Sequence, residues 1–423
     1  MSEPIAERNG EAPNQLIENA VQRVGILGGG QLAKMIAEAA LRHGLQPIVL
    51  GGSRSDPAAS CECELIVGAL DDASSLSELA SSSNVVTLEN EFLDVVRLSL
   101  VLDQLPEVQL QPGLGTIAVA QDKLRQRRLF QRLAMDILEY ELVHSSSLHR
   151  DLRRTWKRFP EGFVLKWSRF GYDGRGNLTL RPHKRTDLEA VAEFCRRGEA
   201  RGATVYAEQW VDFVRELAMV STRAKNGDQV YFPLMISRQE NGVCREVLGP
   251  ATSFGQDATI EWRAQEIARA IAKELDLVGS FALEFFLDRS GRLLINEMAP
   301  RVHNTGHFSL FENEPSQFDL HVQAVAGLPL SRPSVHGVAV MRNILGPWET
   351  ATEIPCTTPE ESPPGTSLVW YGKQMASPGR KMGHVTGRAR NAEAALDLLQ
   401  RMAMFEADYW SATCGLEATG VGQ

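Results

Sequence analysis

Residues 293–307 read Leu293-Leu-Ile-Asn-Glu-Met-Ala-Pro-Arg-Val-His-Asn-Thr-Gly-His307, an apolar strand running into metal-binding, cationic and imidazole side chains. Core packing has no use for that mixture. Glu297 and Asn296 offer the oxygen donors a hard divalent cation prefers, and Arg301 and His303 follow closely enough to meet an anionic substrate. A second carboxylate, Glu284, lies on the preceding apolar run Phe281-Ala-Leu-Glu-Phe-Phe-Leu287, and Asp288-Arg-Ser-Gly291 forms a turn between the two. Antiparallel neighbours joined by such a turn aim Glu284 and Glu297 at one point, as a magnesium–nucleotide site requires.

The chain around this stretch is long for one hydrophobic core, and its 423 residues argue for two or three domains. Its 44 Lys and Arg against 53 Asp and Glu give a net charge of −9. That balance argues against a nucleic-acid binder and leaves room for a local basic pocket taking a small anion. No apolar run approaches the ~18 residues of a membrane span, and Met1 to Ala20 carries no hydrophobic leader, so no membrane partner and a cytoplasmic location are expected. The cysteines (Cys61, Cys63, Cys195, Cys244, Cys356 and Cys414) are scattered, and Cys61-Glu-Cys63 lacks both zinc spacing and a partner pair. Reduced, structural thiols are expected.

Residues 1–20 are polar and read as an arm without chemistry of its own. Val21 to Leu27 reads as a strand and Gly28-Gly-Gly30 as a tight turn. Gln31 to His43 follows as a helix with Leu32, Met35, Ile36 and Ala39 on one face, closed by Gly44. Pro47 to Leu50, Glu64 to Val67 and Asn84 to Leu88 add short strands. Strand, glycine loop, helix and strand in that order open a parallel α/β unit, so a doubly wound domain is expected over 21–120. A basic helix, Gln121 to Leu133, begins an α+β region over 121–330. Its strands are Gly162 to Trp167, Asn177 to Leu180, Val205 to Val211 and Glu216 to Arg223, followed by the helix Trp262 to Leu275 and the two carboxylate strands. Pro355, Pro359, Pro363 and Pro364 surround a loop before Ser367 to Tyr371 resumes as a strand, and a small β-rich domain is expected over 331–423.

Gly28-Gly-Gly30-Gln-Leu-Ala33 fits the dinucleotide fingerprint, yet Leu50 is followed by Gly51-Gly-Ser-Arg54 rather than by the acid that would hold a ribose. A nicotinamide site is therefore not expected. The helix N-terminus remains an anion cradle, or the glycines simply make a turn. Lys166-Trp-Ser-Arg-Phe-Gly-Tyr-Asp-Gly-Arg-Gly176 is a strand ending in a phosphate-neutralising Lys and then a loop. Its Gly171, Gly174 and Gly176 let backbone amides approach phosphates, while Tyr172, Asp173 and Arg175 ride a flap able to close over substrate. The bland alternative is a glycine-rich hairpin with surface charges. Glu208-Gln-Trp-Val211 offers backbone groups to an adenine edge, and Glu216 a carboxylate to ribose hydroxyls, although two acids near a strand are by themselves ordinary surface.

Together these elements resemble the ATP-grasp superfamily, and within it the 5-(carboxyamino)imidazole ribonucleotide synthetases of purine biosynthesis. The resemblance spans Val24 to Gly387. It rests on Gly28-Gly-Gly-Gln-Leu32, Thr87-Leu-Glu-Asn-Glu91, Gln121-Asp-Lys123, Gly171-Tyr-Asp-Gly-Arg-Gly176, Asn296 to His307, Tyr371-Gly-Lys373 and Gly379-Arg-Lys-Met-Gly-His384. It implies an ATP-grasp fold between the doubly wound and β-rich domains, and an ATP- and Mg2+-dependent carbon–nitrogen ligase. In such enzymes ATP and bicarbonate form carboxyphosphate, and the exocyclic amine of 5-aminoimidazole ribonucleotide captures the carboxyl group.

The resemblance puts Lys123, Lys166, Asn296 and the loop glycines on the nucleotide, Glu208 to Val211 against adenine, Glu216 on ribose, and Glu284 with Glu297 on magnesium. Tyr172, Asp173, Arg175, Arg301 and His303 would surround the reacting groups. Gln31, Leu32, Glu89 and Asn304 would line the substrate, and Lys373, Arg380 and Lys381 would clamp its 5′-phosphate; Arg380-Lys381 read alone is only a basic turn. A homodimer is expected from the same resemblance.

The chain departs from the family pattern at Ala33 and Lys34, where Gly and Arg are usual, at Phe170, which replaces a loop glycine, and at Val302, which replaces a proline. Ser237-Arg-Gln-Glu-Asn241 lacks a histidine that commonly follows the hinge strand, leaving Gln239 as its substitute. The alternatives are another ATP-grasp ligase, such as formate-dependent glycinamide ribonucleotide transformylase, and an inactive nucleotide-binding module.

Overall fold

The computed structural model of the chain describes residues 23–171, 176–184, 187–348, 350 and 353–414. Strands β1 (Arg23–Leu27), β2 (Gln46–Gly51), β3 (Glu64–Val67), β4 (Val85–Leu88) and β5 (Gln109–Leu110) form a parallel sheet in the order β3-β2-β1-β4-β5. Helices α1 (Gln31–Arg42), α2 (Ala73–Ser81) and α3 (Val95–Leu102) lie in the connections between them, and α4 (Leu114–Ala120) follows the last strand. This is the doubly wound arrangement that the strand–glycine–helix order predicts. The turn into α1 requires glycine at Gly28: φ is +111°, and a Cβ there would lie 2.3 Å from Glu89 Cγ.

A second sheet holds β6 (Tyr140–Leu142), β7 (Phe163–Trp167), β8 (Asn177–Leu180) and β9 (Val205–Gln209), ordered β6-β9-β7-β8 with antiparallel neighbours. Helices α5 (Lys123–Arg132), α6 (Leu148–Arg158) and α7 (Leu188–Ala200) accompany it. The largest sheet has nine strands: β10 (Phe213–Arg223), β11 (Gln229–Tyr231), β12 (Met235–Glu240), β13 (Val243–Gly249), β14 (Gly279–Asp288), β15 (Leu293–Ala299), β16 (Val338–Leu345), β18 (Thr366–Trp370) and β20 (Lys381–Ala389). A short pair, β17 (Ile354–Pro355) and β19 (Met375–Ala376), stands apart. Helices α8 (Ala258–Glu274), α9 (Gln317–Val325) and α10 (Ala392–Cys414) complete the described residues.

The large sheet runs β15-β14-β10-β12-β13-β16-β20-β18, so β16, β18 and β20, all beyond residue 331, extend it rather than build a sheet of their own. The tail, for which the sequence pattern names no element, is the 23-residue helix α10 packed on β16 and β20. Glu406 pins it, accepting from Arg245 Nη1 at 2.8 Å, Arg342 Nε at 3.0 Å and the Leu345 amide at 2.9 Å. Among the described residues no helix is long and apolar enough to cross a membrane, and all six cysteines are free.

The β14–β15 hairpin positions the site. Phe281, Leu283, Phe285 and Leu287 are buried with Ile260, Ala264, Ala268 and Ile271 of α8, each such large side chain contributing about 1.5–3 kcal/mol. The alternation leaves Glu284 and Phe286 on the other face, which lines a cleft. Asp288 holds the turn, its Oδ1 accepting from the amides of Ser290 at 2.9 Å and Arg292 at 3.0 Å. Elsewhere the buried face of α1 shares one core with β1 and with Phe318, Val322 and Val325 of α9, joining the first sheet to the third.

Candidate active site

The hairpin register sets Glu284 directly opposite Glu297. Both line a cleft of about 600 Å³ whose walls come from every part of the fold: Glu91 and Phe92 after β4, Lys123 on α5, Lys166 on β7, Glu216 on β10, Arg301, His303 and Asn304 after β15, and Lys381 on β20. Gly171, Gln239, Asn296, Trp210 and Phe286 line it too. Eleven of the residues singled out in the sequence thus meet: Lys123, Lys166, Gly171, Glu216, Glu284, Asn296, Glu297, Arg301, His303, Asn304 and Lys381.

Lys123 reaches Glu297 from the first turn of α5, Nζ to Oε2 at 2.5 Å. Burial would raise the Glu297 carboxyl, but Lys123, followed by Lys166 and Arg127, holds it below the usual carboxylate range. Lys166 donates to Glu208, whose other oxygen accepts from Arg127 Nη2 at 2.6 Å and Nε at 2.8 Å. Arg127 and Glu208 are each 2% exposed. Burial opposes the Glu208 charge; Arg127 and then Lys166 outweigh it. The Glu208 carboxylate is therefore committed to Arg127 and Lys166 and does not line the cleft. Arg127 was not singled out in the sequence, although its i+4 spacing from Lys123 sets both on one face of α5.

Arg301 is held by Glu91, the last residue of the Thr87-Leu-Glu-Asn-Glu91 motif, Nε to Oε2 at 2.6 Å and Nη2 to Oε1 at 3.4 Å. His303 donates or accepts at Thr305 Oγ1, 2.9 Å away, and its Nε2 lies 3.9 Å from Glu284 Oε1. Burial, then Arg301 and Lys381, keeps this imidazole well below its ordinary range, so it meets an anion as a neutral ring. Asn304 and Asn343 exchange two amide hydrogen bonds at 2.9 and 2.7 Å, which commits most of the Asn304 side chain to the protein.

Glu216 is different. Burial, then the charge of Glu284, raises its carboxyl to about 7. Its charge is therefore gained on the alkaline side of that value. If its carboxylate accepts from ribose hydroxyls, the KM for ATP rises as pH falls through about 7. Glu216→Gln should flatten that limb in a pH series of initial rates, and an unchanged profile would count against the role.

Several expected residues lie outside this cleft. Gln31 and Leu32 sit in the first turn of α1, where Glu89 accepts from the amides of Gly30 at 2.8 Å and Ala33 at 3.1 Å. Burial raises the Glu89 carboxyl against those bonds and against the nearby Arg301 charge. Lys373 donates to the Lys381 carbonyl at 2.7 Å, and Arg380 to the Met375 carbonyl at 2.9 Å; neither lines the cleft. Gly176, Glu208 and Val211 do not line it either. Tyr172, Asp173, Gly174 and Arg175 lie outside the described residues. Phe170, at φ +63°, holds a left-handed backbone that glycine adopts without strain, and Arg169 lies over its ring at 5.3 Å. It lines a neighbouring cleft of about 620 Å³ that also includes Phe92.

Glu284, Glu297 and Asn296 are hard oxygen donors facing one space, a set that suits a small divalent cation completing its shell with water and phosphate. Among the described residues no group of three or more His, Cys, Asp or Glu gathers for a metal.

Three family matches run along the chain: the ribonucleotide synthetase preATP-grasp domain over 21–121, the ATP-grasp domain over 128–318, and the phosphoribosylaminoimidazole carboxylase C-terminal domain over 339–397. The N5-carboxyaminoimidazole ribonucleotide synthase of Synechococcus elongatus is 34% identical over 402 residues, covering 93% of this chain and 97% of its own. The chain belongs to the N5-carboxyaminoimidazole ribonucleotide synthase family. It is an ATP-dependent carboxylate–amine ligase of ATP-grasp fold. A solved synthase of this family, from Aspergillus clavatus with ATP, superposes with a TM-score of 0.79 at 28% identity, covering 92% of this chain and 99% of that one. The Aspergillus clavatus synthase in complex with ADP and 5-aminoimidazole ribonucleotide gives a TM-score of 0.78 at 28% identity, with the same coverage.

Proposed function

We propose that this chain carboxylates the exocyclic amine of 5-aminoimidazole ribonucleotide in purine biosynthesis, using ATP and bicarbonate and releasing ADP and phosphate. The observation that carries the reading is the two-ended cleft: Glu284 and Glu297 face each other beside Lys123 and Lys166, while Arg301, His303 and Lys381 line the same space. Family membership supplies the substrate class. The three proposed units, 21–120, 121–330 and 331–423, each give residues to this one cleft.

In the first step a bicarbonate oxygen attacks the γ-phosphorus and the bond to ADP breaks, forming carboxyphosphate. In the second, the amine nitrogen attacks its carboxyl carbon, phosphate leaves with the bridging oxygen, and the nitrogen loses a proton. Lys123 and Lys166 neutralise phosphate charge as it shifts, which is most of what phosphoryl transfer asks of a protein. Arg301, oriented by Glu91, holds the short-lived anhydride, and His303 contributes a neutral hydrogen-bonding group beside it. Asp173, with Tyr172 and Arg175, is assigned the amine by resemblance. Glu284, Glu297 and Asn296 would hold Mg2+, which supplies charge neutralisation at the phosphates when bound. Lys381, with Lys373 and Arg380 behind it, is assigned the 5′-phosphate.

A coupled ADP-release assay on the purified chain tests this. Turnover is expected to require both aminoimidazole ribonucleotide and bicarbonate. Turnover with formate and glycinamide ribonucleotide instead would replace the reading, and ATP-dependent thermal stabilisation without ADP release would mark an inactive binding module. A cytoplasmic homodimer completes the proposal, supported by the resemblance; light scattering at working concentration checks the dimer.

A further inference from the structure

The loop that presents His303 is fixed from behind. Gln317, fully buried at the start of α9, accepts the His303 N–H at 2.8 Å and donates to the His303 carbonyl at 2.7 Å. Its amide nitrogen also lies 3.1 Å from His307 Nδ1. Both of its N–H groups are thereby used, which makes His307 Nδ1 an acceptor and places that ring's proton on Nε2. The glycine of Asn304-Thr-Gly-His307 follows from this packing: a Cβ at Gly306 would stand 2.4 Å from the Gln317 amide oxygen.

The contacts continue to the other side of the cleft. The His307 ring stacks on His384 with centroids 4.6 Å apart and planes at 26°, and the Tyr371 hydroxyl lies 2.8 Å from His384 Nδ1. His384 follows Lys381 on β20, and Tyr371 precedes Lys373, whose ammonium donates to the Lys381 carbonyl. Gln317, His307, His384 and Tyr371 are all buried, and none lines the cleft. Burial holds His384 at about 3 and His307 well below its ordinary range, so two neutral rings stack without charge repulsion.

An apolar core would fill this space at lower cost, since buried polar groups stabilise little even when paired. Here the pairing is incomplete: His384 Nε2 is buried with no hydrogen-bond partner among the described residues. A retained unsatisfied nitrogen asks for a reason other than stability.

We propose that Gln317, His307, His384 and Tyr371 are positioning residues, a rigid array that fixes the His303 imidazole against the strand carrying Lys381. A phosphorylated aminoimidazole substrate gripped at Lys381 then presents its reacting amine to His303 and Arg301 at one set distance. This rests on the function proposed above. Misplacement by about 1 Å is enough to cost roughly a hundredfold in rate, so such an array acts on kcat.

Two mild variants test it on the full-length chain. Tyr371→Phe removes only a hydroxyl, and Gln317→Glu keeps the acceptor for the His303 amide while losing both N–H donors. Each is expected to lower kcat by about ten- to a hundredfold, while the KM for ATP and the ADP-binding stoichiometry by calorimetry stay near the wild-type values; the melting temperature stays near wild type in Tyr371→Phe and falls in Gln317→Glu, whose new carboxyl is buried. The double variant should lose little more than either single one, because one break already frees the array. Multiplying losses would overturn the array, as would a wild-type kcat in Tyr371→Phe. Losses matched by falling nucleotide-binding stoichiometry would show a purely structural role. Wild-type protein without aminoimidazole-dependent turnover would overturn the function itself, and with it the array's part in that function.

Discussion

Glu297→Gln is expected to lower kcat by about a thousandfold or more while the chain stays folded, since charge stabilisation at a phosphoryl-transfer site is worth several kcal/mol and each 1.4 kcal/mol is about tenfold in rate. The substitution is nearly isosteric. An amide oxygen still accepts from Lys123, so the contact that closes α5 against β15 survives without its charge. What disappears is one of the two carboxylates set opposite each other by the hairpin. The side chain is 36% exposed at the cleft wall, so its loss should move the melting temperature by only a few degrees. Steady-state kinetics beside a thermal melt checks both halves. The nucleotide affinities with and without magnesium should also converge in the variant, a binding readout independent of turnover. Retention of more than about a tenth of wild-type activity would sink the two-carboxylate site.

The second large effect is on stability. Glu208→Gln leaves Arg127 and Lys166 buried without their counter-charge, and breaking such a group costs about 3–5 kcal/mol. Urea unfolding followed by fluorescence should show the loss as a lower midpoint; a change under about 1 kcal/mol would remove Glu208 as the keystone. The acid limb follows from the same carboxylate. Its folded pKa is depressed to about 2, so its stabilisation is complete above the unfolded carboxylate range and is lost as pH falls through that range toward about 2. Activity should suffer as well. Burial already lowers the Lys166 ammonium, with Glu208 opposing, and without Glu208 it would lose charge that the nucleotide phosphates need. The KM for ATP should therefore rise in the same variant.

These two carboxylates differ in how far the sequence reveals them. Plain alternation from the turn would set Glu284 against Asn296, and a one-residue bulge there brings Glu297 opposite instead; that the two carboxylates share one hairpin is legible from the four-residue turn between them. The first glycine turn, the helix after it and the parallel strand order are legible for the same reason: each is written in consecutive residues whose spacing has one common reading. Glu208 is legible only as the end of a strand. Its partner Arg127 lies 81 residues away, and nothing in its neighbourhood says that the carboxylate turns inward. Glu91 and Arg301, 210 residues apart, and Asn304 and Asn343, 39 apart, are hidden in the same way. The same distance problem hides the array around His303, since nothing near Gln317 or His384 in the chain says that both meet His307. The helix α10 is not named by the sequence reading although its apolar residues recur, because residues 331–423 read as a small β-rich domain.

The mixture at Asn296 to His307, with Glu284 across a short turn, points to a hard cation beside an anionic substrate by residue type and spacing, which the covalent chain fixes directly. The ATP-grasp setting comes from the resemblance carried by ordered motifs from Gly28 to His384. Only the tertiary structure decided which charges are spent on each other and which face the cleft. It placed Lys166 on Glu208 and Arg301 on Glu91, brought Lys381 in while leaving Arg380 outside, and set His303 on a buried Gln317. Partner choice among buried charges depends on desolvation and on geometry between distant segments, and neither is encoded in the neighbours of a residue along the chain.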